Sequence, residues 1–492
     1  MTSDAAASPS MELDSLAGQR WDLLVVGGGI VGAGVVRDAA MRGLRAALVD
    51  QYDFAFGTSS RSSRLLHGGL RYLAQGRVGL VHEASVEKCV LHRIAPHLAA
   101  PLPFLFPTYR GTPWTRWKLS IGVRIYDLLC GRRNLGPCST LSVADMLAKL
   151  PGLNQHNLTG GVRYYDGLTS DARLAIDTLR SAQRHGATLR NHICFLNADR
   201  SADGWTAQLQ DRRSGRQINL TAGAVVNATG CWAASIPHSR VRLRLTKGIH
   251  LVVDQDRFPV PEAVVMAEGA RILFAIPWGE RTILGTTDTD YAGALDDVPA
   301  DAEDVAYVLR VTNSAFPQAK LTPADVISYW AGVRPLISKS EVAQGTPSDT
   351  SRNHQIRMPE PGWIDVAGGK LTTYRLMAEQ TVDRVARALR RELPACQTAV
   401  EPLVAESQAA NLSHVIPPAV TREAVEHYCT HEWALHLTDV MLRRTSWHYY
   451  HRHAAEIAQQ TSQWMAELLG WTPQQQADEL AEYRHATRPV TA

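Results

Sequence analysis

The chain has 492 residues, of which 45% are hydrophobic and 20% charged, with a formal net charge of +3 at pH 7. This length exceeds what one hydrophobic core can organise, so we expect two or three domains, and the composition excludes a disordered or fibrous protein. The small net charge argues against nucleic acid as a partner, but it leaves room for a local basic patch that faces an anionic surface.

Residues 1–20 are small and polar, with acidic side chains at Asp4, Glu12 and Asp14. A secretory signal has a basic start and an apolar run, and a mitochondrial transit peptide avoids acids, so this segment fits neither class. We expect a disordered leader, with Met11 as an alternative start. The sequence has no run of about 18 apolar residues, so no transmembrane helix is predicted.

Seven cysteines are spread along the chain without a C-x-x-C pair. An odd, unpatterned set of this kind predicts reduced thiols in a cytosolic compartment. It gives no basis for an iron–sulfur cluster or a structural zinc, and we predict no metal site.

The first predicted elements form a βαβ unit. Asp22–Val26 and Leu44–Asp50 are short apolar runs typical of buried parallel strands, and Val35–Arg42 between them has helical spacing. The two strands are therefore expected to lie side by side in a parallel sheet, with the helix on one face.

The turn after the first strand carries Gly27, Gly29 and Gly32 in the G-x-G-x-x-G pattern. Such glycines make the tight turn, admit a pyrophosphate close to the backbone and pack the helix against the strand. Asp50, at the end of the second strand, is placed to accept hydrogen bonds from a ribose hydroxyl. The sequence therefore predicts a dinucleotide site, which suits NAD and FAD equally.

Later segments show two kinds of hydrophobic pattern. Alternating polar and apolar residues between Leu243 and Gly285 indicate an antiparallel sheet in a different domain. Helical spacing and apolar runs predict the remaining elements: helices at 172–185, 371–392 and 421–471, and strands at 188–195, 222–230 and 363–367.

Residues 58–73 read TSSRSSRLLHGGLRYL and resemble the flavin-contacting segment of FAD-dependent glycerol-3-phosphate dehydrogenases of the aerobic, respiratory type. Residues 26–43 (VGGGIVGAGVVRDAAMRG) and 368–378 (GGKLTTYRLMA) are similar to the amino-terminal and carboxy-terminal signatures of that family. The remaining family motifs follow in the same order: NATG at 227–230, KGIH at 247–250, GTTD at 285–288, GVRPL at 332–336 and DVMLRRT at 439–445. The resemblance runs from about Asp22 to Ala378, and Val36, Arg64 and Ile249 depart from the family pattern.

The resemblance implies an α/β fold with three domains after the leader. A glutathione-reductase-like, Rossmann-type FAD domain is expected from residues 21–98, 166–238 and 353–395. An α+β substrate-binding domain with an antiparallel sheet is expected from residues 99–165 and 239–352. Residues 396–492 are expected to form a helical C-terminal domain.

FAD is the cofactor that the resemblance implies. The expected cofactor contacts are Gly27, Gly29, Gly32, Asp50, Ser59, Ser60, Ser63, Arg64, His67, Gly68, Gly69, Gly230, Gly369, Lys370, Leu371, Thr372 and Thr373. Residues 368–373 open a helix, and their amides are expected to face the flavin's pyrimidine edge, where negative charge gathers on reduction.

The implied reaction is oxidation of sn-glycerol 3-phosphate to dihydroxyacetone phosphate, with electrons passed to a membrane quinone. A phosphate dianion calls for arginine forks and a lysine, and the predicted substrate ligands are Arg71, Arg334, Arg352 and Lys370, with a further hydrogen bond from Tyr72. The alternative for each arginine is a structural salt bridge.

Two histidines in family motifs, His67 and His250, are the candidates for the base, because the pKa of histidine lies near the working pH. His67 precedes two glycines that would let the backbone approach the flavin. The alternative for either one is a hydrogen-bonded core histidine. Arg334 is the third residue to which we assign a catalytic role.

Residues 114–126 mix aromatic, aliphatic and basic side chains at near-helical spacing, which is typical of a segment in a bilayer interface. With Arg132 and Arg133, they predict a cytoplasmic protein attached peripherally to the inner face of the cell membrane. The alternative is an amphipathic helix packed on its own domain.

Several functional questions stay open at the level of sequence. An oxidase that uses oxygen, a dehydrogenase of another small anionic hydroxy or amino compound, and an FAD-bound protein with a decayed active site are alternatives. The sequence also leaves open whether the protein forms a homodimer.

Overall fold

The computed structural model describes residues 13–14, 16–69, 78–130, 135–269, 271–338, 354–404 and 412–490. Its strands, numbered in chain order, are β1 (Arg20–Val26), β2 (Ala46–Val49), β3 (Leu65–Leu66), β4 (Ala100–Tyr109), β5 (Ser139–Leu141), β6 (Leu158–Leu168), β7 (Thr188–Arg190), β8 (Ile193–Ser201), β9 (Gly204–Asp211), β10 (Gln217–Asn227), β11 (Leu243–Asp254), β12 (Ala263–Glu268), β13 (Arg271–Trp278), β14 (Arg281–Gly285), β15 (Thr289–Asp290), β16 (Val326–Ile337), β17 (His354–Glu360) and β18 (Trp363–Gly368).

The α-helices are α1 (Ile30–Met41), α2 (Val78–Ile94), α3 (Arg116–Cys130), α4 (Val143–Lys149), α5 (Asp171–Arg184), α6 (Ala302–Ala315), α7 (Tyr374–Leu389), α8 (Arg422–His431), α9 (Trp447–Tyr450), α10 (Ala454–Leu469) and α11 (Pro473–Ala486). Short 3-10 turns occupy Thr58–Ser60, Pro96–Leu98, Gly230–Trp232, Pro323–Asp325 and Leu371–Thr373, and Asp439–Arg444 forms a π-helix.

The first sheet has the order β17-β18-β10-β1-β2-β7, and β9 and β8 extend it from β10. Its centre is parallel, from β18 through β10, β1 and β2 to β7, and β17 joins β18 in the antiparallel sense. Apolar side chains of α1, α5 and α7, such as Val35, Leu179 and Val382, pack together with those of the strands in one core. This is the predicted Rossmann-type arrangement, in which ligands bind beyond the carboxyl ends of the strands.

The second sheet has the order β15-β11-β14-β13-β12-β4-β6-β3, with β16 paired to β11 and β5 to β6. Its pairs are antiparallel except for β4 with β12. The prediction of an antiparallel sheet between Leu243 and Gly285 is therefore confirmed. Strand β3 belongs to this sheet because Leu65 and Leu66 pair with β6, although the sequence prediction placed them within the FAD domain.

Part of the predicted disordered leader is packed instead. Leu13 and Leu16 are buried in the same apolar cluster as Trp21, and the Trp21 indole Nε1 donates to the Leu16 carbonyl at 3.0 Å. Two leucines three residues apart share one face of a helical turn. The prediction of disorder was based on the polar composition of the whole segment and did not take this pair into account. The other leader residues, 1–12 and 15, lie outside the described residues.

The C-terminal helices form their own apolar cluster and are joined to the FAD domain by buried ion pairs. Asp53 accepts hydrogen bonds from Arg443 at 2.5 Å and from Arg444 at 2.7 and 2.8 Å. Glu432 accepts from Arg173 of α5 at 2.5 and 2.9 Å. Since all five side chains are buried, each charge depends on its partner across the domain boundary.

Candidate active site

A cavity of about 290 Å³ lies between the two sheets. Its wall comes from the carboxyl ends of β1, β10 and β18, from nine residues between Phe56 and His67, and from β11 and β16. The predicted site residues that line it are Gly27, Gly29, Asp50, Ser59, Ser63, His67, Gly230, His250, Arg334, Gly369, Lys370, Leu371 and Thr372.

The glycine turn after β1 leaves no room for side chains. Gly27 has φ +108°, and a Cβ there would lie 2.7 Å from the Ala228 carbonyl oxygen. A Cβ on Gly32 would lie 1.9 Å from the Gly27 carbonyl oxygen, so this glycine brings α1 onto the turn rather than lining the cavity. Both positions serve the close approach of backbone that the fingerprint predicts.

Asp50 fixes the edge of the cavity after β2. Its Oδ2 accepts from the Gly28 amide at 2.6 Å and its Oδ1 accepts from the Tyr52 amide at 2.8 Å. Burial raises the pKa of Asp50 to about 7, and the two amide bonds oppose that rise. The carboxyl group is therefore oriented before any ligand arrives, at the position predicted to bind a ribose.

His250 of β11 faces the cavity from the second sheet. Its Nε2 shares a hydrogen bond of 2.8 Å with Ser63 Oγ, and its ring stacks on Trp330 with centroids 5.1 Å apart. Among the described residues, no hydrogen-bond partner reaches Nδ1. Burial, together with the charges of Arg334 and Arg64, holds the pKa of His250 well below its usual range, so the imidazole is neutral and able to accept a proton.

Arg334 of β16 lies on the same wall. Its guanidinium donates to Thr286 Oγ1 at 2.9 Å, to the Thr287 carbonyl at 3.2 Å and to Asp288 Oδ1 at 3.3 Å. It also crosses the face of Gly248, where a Cβ would lie 2.2 Å from Nη2. These contacts fix the direction of the arginine beside the cavity, and a guanidinium has five N–H donors to share among its partners.

Two distant family motifs meet at the cavity. The His67 amide donates to Thr372 Oγ1 at 3.0 Å, and the Thr372 hydroxyl donates to the His67 carbonyl at 3.2 Å. Lys370 and Leu371 line the cavity at the start of the same turn. Gly369 has φ +80°, a left-handed conformation that favours glycine.

Gly68, a predicted cofactor contact, is not among the residues that line the cavity. A Cβ on Gly68 would lie 2.2 Å from the Tyr126 hydroxyl, and its amide donates to that hydroxyl at 3.0 Å and to Asp166 Oδ1 at 3.2 Å. Lys88 donates to Asp166 at 2.9 Å in the same buried cluster. Only a glycine at position 68 leaves room for Tyr126 of helix α3. This close packing occurs directly beside His67, which lines the cavity.

Arg64 also lies away from the cavity lining, although we predicted a flavin contact. The side chain is buried, its Cζ lies 4.4 Å from the Trp278 ring centroid and 4.8 Å from that of Trp330, and Nη2 donates to Ser446 Oγ at 3.1 Å. Aromatic faces stabilise the cation there. The other predicted contacts absent from the lining are Gly32, Ser60, Gly69 and Thr373.

Sequence reasoning missed Arg61, Phe56, Cys231 and Trp232, which line the cavity. Arg61 lies inside the 58–73 motif, so its charge within a flavin segment was the available signal. Cys231 and Trp232 follow the Gly230 turn. The predicted ligands Arg71, Tyr72 and Arg352 lie outside the described residues, as do Arg132 and Arg133.

The cavity suits FAD. Gly27 and Gly29 leave backbone open at the amino end of α1, where a pyrophosphate is stabilised by the helix dipole, and Asp50 stands ready for a ribose. His250 and Ser63 also line the cavity, as do residues 368–372. Within the described chain, no three His, Cys, Asp or Glu side chains come together as a metal site.

Comparison with known proteins agrees with this geometry. The FAD dependent oxidoreductase family profile matches residues 22–384, and the profile of the C-terminal domain of alpha-glycerophosphate oxidase matches residues 399–476. Glycerol-3-phosphate dehydrogenase of Mycobacterium leprae (strain TN) is 35% identical, over 94% of this chain and 88% of its own length. Aerobic glycerol-3-phosphate dehydrogenase of Staphylococcus aureus (strain USA300) is 37% identical, over 77% of this chain and 69% of its own length.

Solved structures show the same fold. The FAD complex of glycerol-3-phosphate dehydrogenase from Bacillus halodurans matches with a TM-score of 0.77 at 28% identity, over 97% of this chain and 96% of that chain. The FAD-bound L-alpha-glycerophosphate oxidase of Mycoplasma pneumoniae matches with a TM-score of 0.61 at 16% identity, over 77% of this chain and 97% of that chain, which is a likeness of fold alone. The sequence identity and the shared architecture agree, and the chain belongs to the FAD-dependent glycerol-3-phosphate dehydrogenase family.

Proposed function

We propose that the protein oxidises sn-glycerol 3-phosphate to dihydroxyacetone phosphate by hydride transfer to FAD and passes the electrons to a membrane quinone. The observation that carries this proposal is the pairing of a neutral, buried His250 with the cationic Arg334 on one wall of the FAD cavity. A base and a cation in one place suit a substrate with a hydroxyl group and an anionic group. The names of the relatives support the choice of substrate.

His250 is the base in this proposal. The proton of the substrate's C2 hydroxyl moves to Nε2, which lies at the cavity wall in its bond with Ser63 Oγ. Stacking on Trp330 holds the ring in one orientation. Bound FAD supplies the acceptor for the C2 hydride, and the chain's part is to bind, orient and exclude water.

Arg334 and Lys370 hold the phosphate of the substrate. Both line the cavity, and Arg334 is already aimed by its bonds to residues 286–288. Holding a dianion with a fixed guanidinium sets the distance between C2 and the flavin, because bidentate contacts give direction as well as charge. Arg71, Tyr72 and Arg352 stay predicted partners of the same substrate.

The first test is anaerobic bleaching of the purified holoprotein's flavin absorbance on addition of sn-glycerol 3-phosphate. Rapid bleaching, followed by fast reoxidation with a soluble quinone and slow reoxidation with oxygen, is the expected result. Fast reoxidation by oxygen would replace the quinone dehydrogenase with an oxidase. Absence of bleaching in flavin-loaded protein would exclude this substrate and direct the search to other anionic hydroxy or amino compounds.

Helix α3 is the proposed site of membrane attachment. Trp117, Ile121, Ile125 and Leu128 form an apolar stripe on it, with exposed fractions of 63%, 50%, 40% and 80%. Its opposite face is buried through residues that include Tyr126. Within the described chain, no helix combines the length and apolarity needed to cross a bilayer.

The charges around this stripe favour an anionic bilayer as its occupant. Arg116, Lys118 and Arg124 are exposed on the same helix, and the Lys118 Nζ lies 5.7 Å from the Trp117 ring centroid. Apolar side chains flanked by bases are typical of helices that lie in the headgroup region. Trp114, by contrast, packs against Phe106 with ring centroids 5.5 Å apart, so it does not belong to the stripe.

Cosedimentation with vesicles of phosphatidylglycerol and phosphatidylcholine tests this attachment. We expect the Trp117→Ala/Leu128→Ala variant to bind at least about tenfold more weakly, because each side chain loses a burial worth roughly 1.5–3 kcal/mol. Met358→Ala/Val400→Ala is the matched control, since both side chains are exposed apolar residues outside α3. Equal binding of the two variants would rule out α3 as the docking face.

A further inference from the structure

Arg61 is a cavity arginine with no counter-charge among the described residues. It lines the FAD cavity two residues after Ser59, at the end of the 58–60 turn. Within the described residues, its guanidinium makes no side-chain hydrogen bond and no ion pair. Its Cζ lies 5.1 Å from the centroid of the Phe56 ring, which is a cation–π contact.

Arg443 contacts the same ring and offers a comparison, because its charge is paired within the protein. Arg443 Cζ lies 5.6 Å from the centroid of the Phe56 ring. Unlike Arg61, Arg443 donates to Asp53 at 2.5 Å and also pairs with Asp439. One arginine on Phe56 is therefore neutralised by two carboxylates of the chain, and the other is not.

The carboxylate that acts on the charge of Arg61 is engaged elsewhere. Asp297 lies near enough to act on its charge, but Arg488 binds Asp297 at 2.6 Å. Burial lowers the pKa of Arg61, yet a guanidinium remains charged in proteins, so an anion that enters the cavity would meet a cation with no carboxylate partner among the described residues.

The backbone holds Arg61 at the cavity. The Arg61 amide donates to the Thr58 carbonyl at 3.2 Å, and the Thr58 hydroxyl donates to the Val333 carbonyl of β16 at 2.6 Å. Gly332 makes this approach of β16 feasible, because a Cβ there would lie 2.6 Å from the Arg61 carbonyl oxygen. The backbone of Arg61 is thus fixed against β16, and the residue lines the ligand space.

We propose that Arg61 binds a phosphate group in the cavity. Guanidinium groups bind phosphate oxygens in charge-assisted pairs, and the ligands of this cavity bring two sources of phosphate. One is the pyrophosphate of FAD, and the other is the phosphate of the substrate. The second source rests on the proposed function, whereas the first requires only the cofactor.

The experiment compares Arg61→Gln with Arg212→Gln. Arg212 is a matched control because it is exposed, lies 4.7 Å from the neighbouring Tyr52 ring centroid and does not line the cavity. Two constants are measured for each full-length protein. The FAD dissociation constant comes from flavin fluorescence on dilution of the holoprotein, and that of glycerol 3-phosphate comes from anaerobic bleaching.

We expect Arg61→Gln to raise one of these constants about tenfold or more, because hydrogen bonds to charged groups are lost, and Arg212→Gln to change neither. A rise for FAD alone assigns Arg61 to the pyrophosphate, and a rise for glycerol 3-phosphate alone assigns it to the substrate. If both constants stay within twofold of wild type, the proposal is wrong. Wild-type protein that does not bleach refutes the proposed substrate but leaves the FAD measurement decisive.

Stability separates a binding role from a structural one. After removal of FAD, Arg61→Gln should melt at or above the temperature of the wild-type apoprotein, because an uncompensated cation has been removed. A structural arginine would give the opposite result, a lower melting temperature with unchanged ligand affinities. Arg61→Lys keeps the charge without the fork and should show an intermediate loss of affinity.

Discussion

The imidazole of His250 is poised as a base by its surroundings. It is buried, stacked on Trp330 and hydrogen-bonded to Ser63, and two arginines lie close enough to disfavour its charged form. His67 differs, because the structure ties it to the site through its backbone bonds with Thr372. These environments favour His250 over His67, between which the sequence could not choose.

Replacement of His250 by Asn should slow anaerobic flavin reduction by about 10²–10⁴-fold, the usual contribution of a general base. FAD should remain bound in this variant, and the His67→Asn variant should reduce its flavin faster than the His250→Asn variant does.

Because the pKa of His250 is held low, the wild-type rate of flavin reduction should stay on its plateau below pH 6.5 and fall only at more acidic pH. Stopped-flow absorbance measures both; a His250→Asn protein that reduces at the wild-type rate would eliminate it as the base.

Helix α3 connects the surface to the cavity at the scale of one element. Its outer face carries the apolar stripe, while Tyr126 on its inner face binds the Gly68 amide and Asp166. Lys88 of α2 completes this cluster. The segment that contains His67 is therefore held by the same helix that we propose to dock on the bilayer.

The Asp166→Asn variant should be destabilised by roughly 3–5 kcal/mol, since it leaves Lys88 buried without a carboxylate. The Tyr126→Phe variant should lose roughly 1–3 kcal/mol, the usual effect of an unsatisfied buried partner. Urea unfolding measures both, with Arg124→Gln, an exposed position on the same helix, as the control. A milder effect for Asp166→Asn than for Tyr126→Phe would contradict an ion pair at the centre of this cluster.

At the scale of the whole molecule, the C-terminal domain is packed against the other two domains. Besides the pairs that bind Asp53 and Glu432, the Trp278 indole donates to the Val415 carbonyl at 2.9 Å, and Ser328 Oγ donates to the Tyr449 carbonyl at 2.8 Å. The C-terminal domain thus contacts both other domains, and one of these contacts is to β16, the strand that carries Arg334.

One ion pair within the C-terminal domain gives its stability a pH dependence. Burial alone would lower the pKa of His436, but the hydrogen bond with Glu479 and the charge of Asp439 raise it to about 9. A raised histidine pKa stabilises the fold fully below about pH 6.5 and loses that effect as the pH rises toward 9. The wild-type unfolding midpoint should therefore fall across this window, and His436→Gln should flatten the slope. An equal slope in both proteins would refute this pair as its source.

Local patterns in the sequence were sufficient for the cofactor fold. The βαβ unit, the glycine turn and Asp50 depend on residues close together in the chain, so their spacing carries the geometry, and the structure places them as predicted. The antiparallel sheet was also readable, because alternation of polar and apolar residues reports strands that are buried on one face.

Tertiary structure decided which charged and polar residues face the cavity. Arg61 and Arg64 stand three residues apart in one motif, yet the first borders the ligand space and the second is enclosed by Trp278 and Trp330. Gly68 and Gly69 stay predicted flavin contacts that do not line the cavity, and Tyr126, from another segment, occupies the space beside Gly68. Sequence determined the residue types and the local turns. The direction of each side chain depended on partners far along the chain, because burial and pairing are set only when the two sheets and the C-terminal helices pack together.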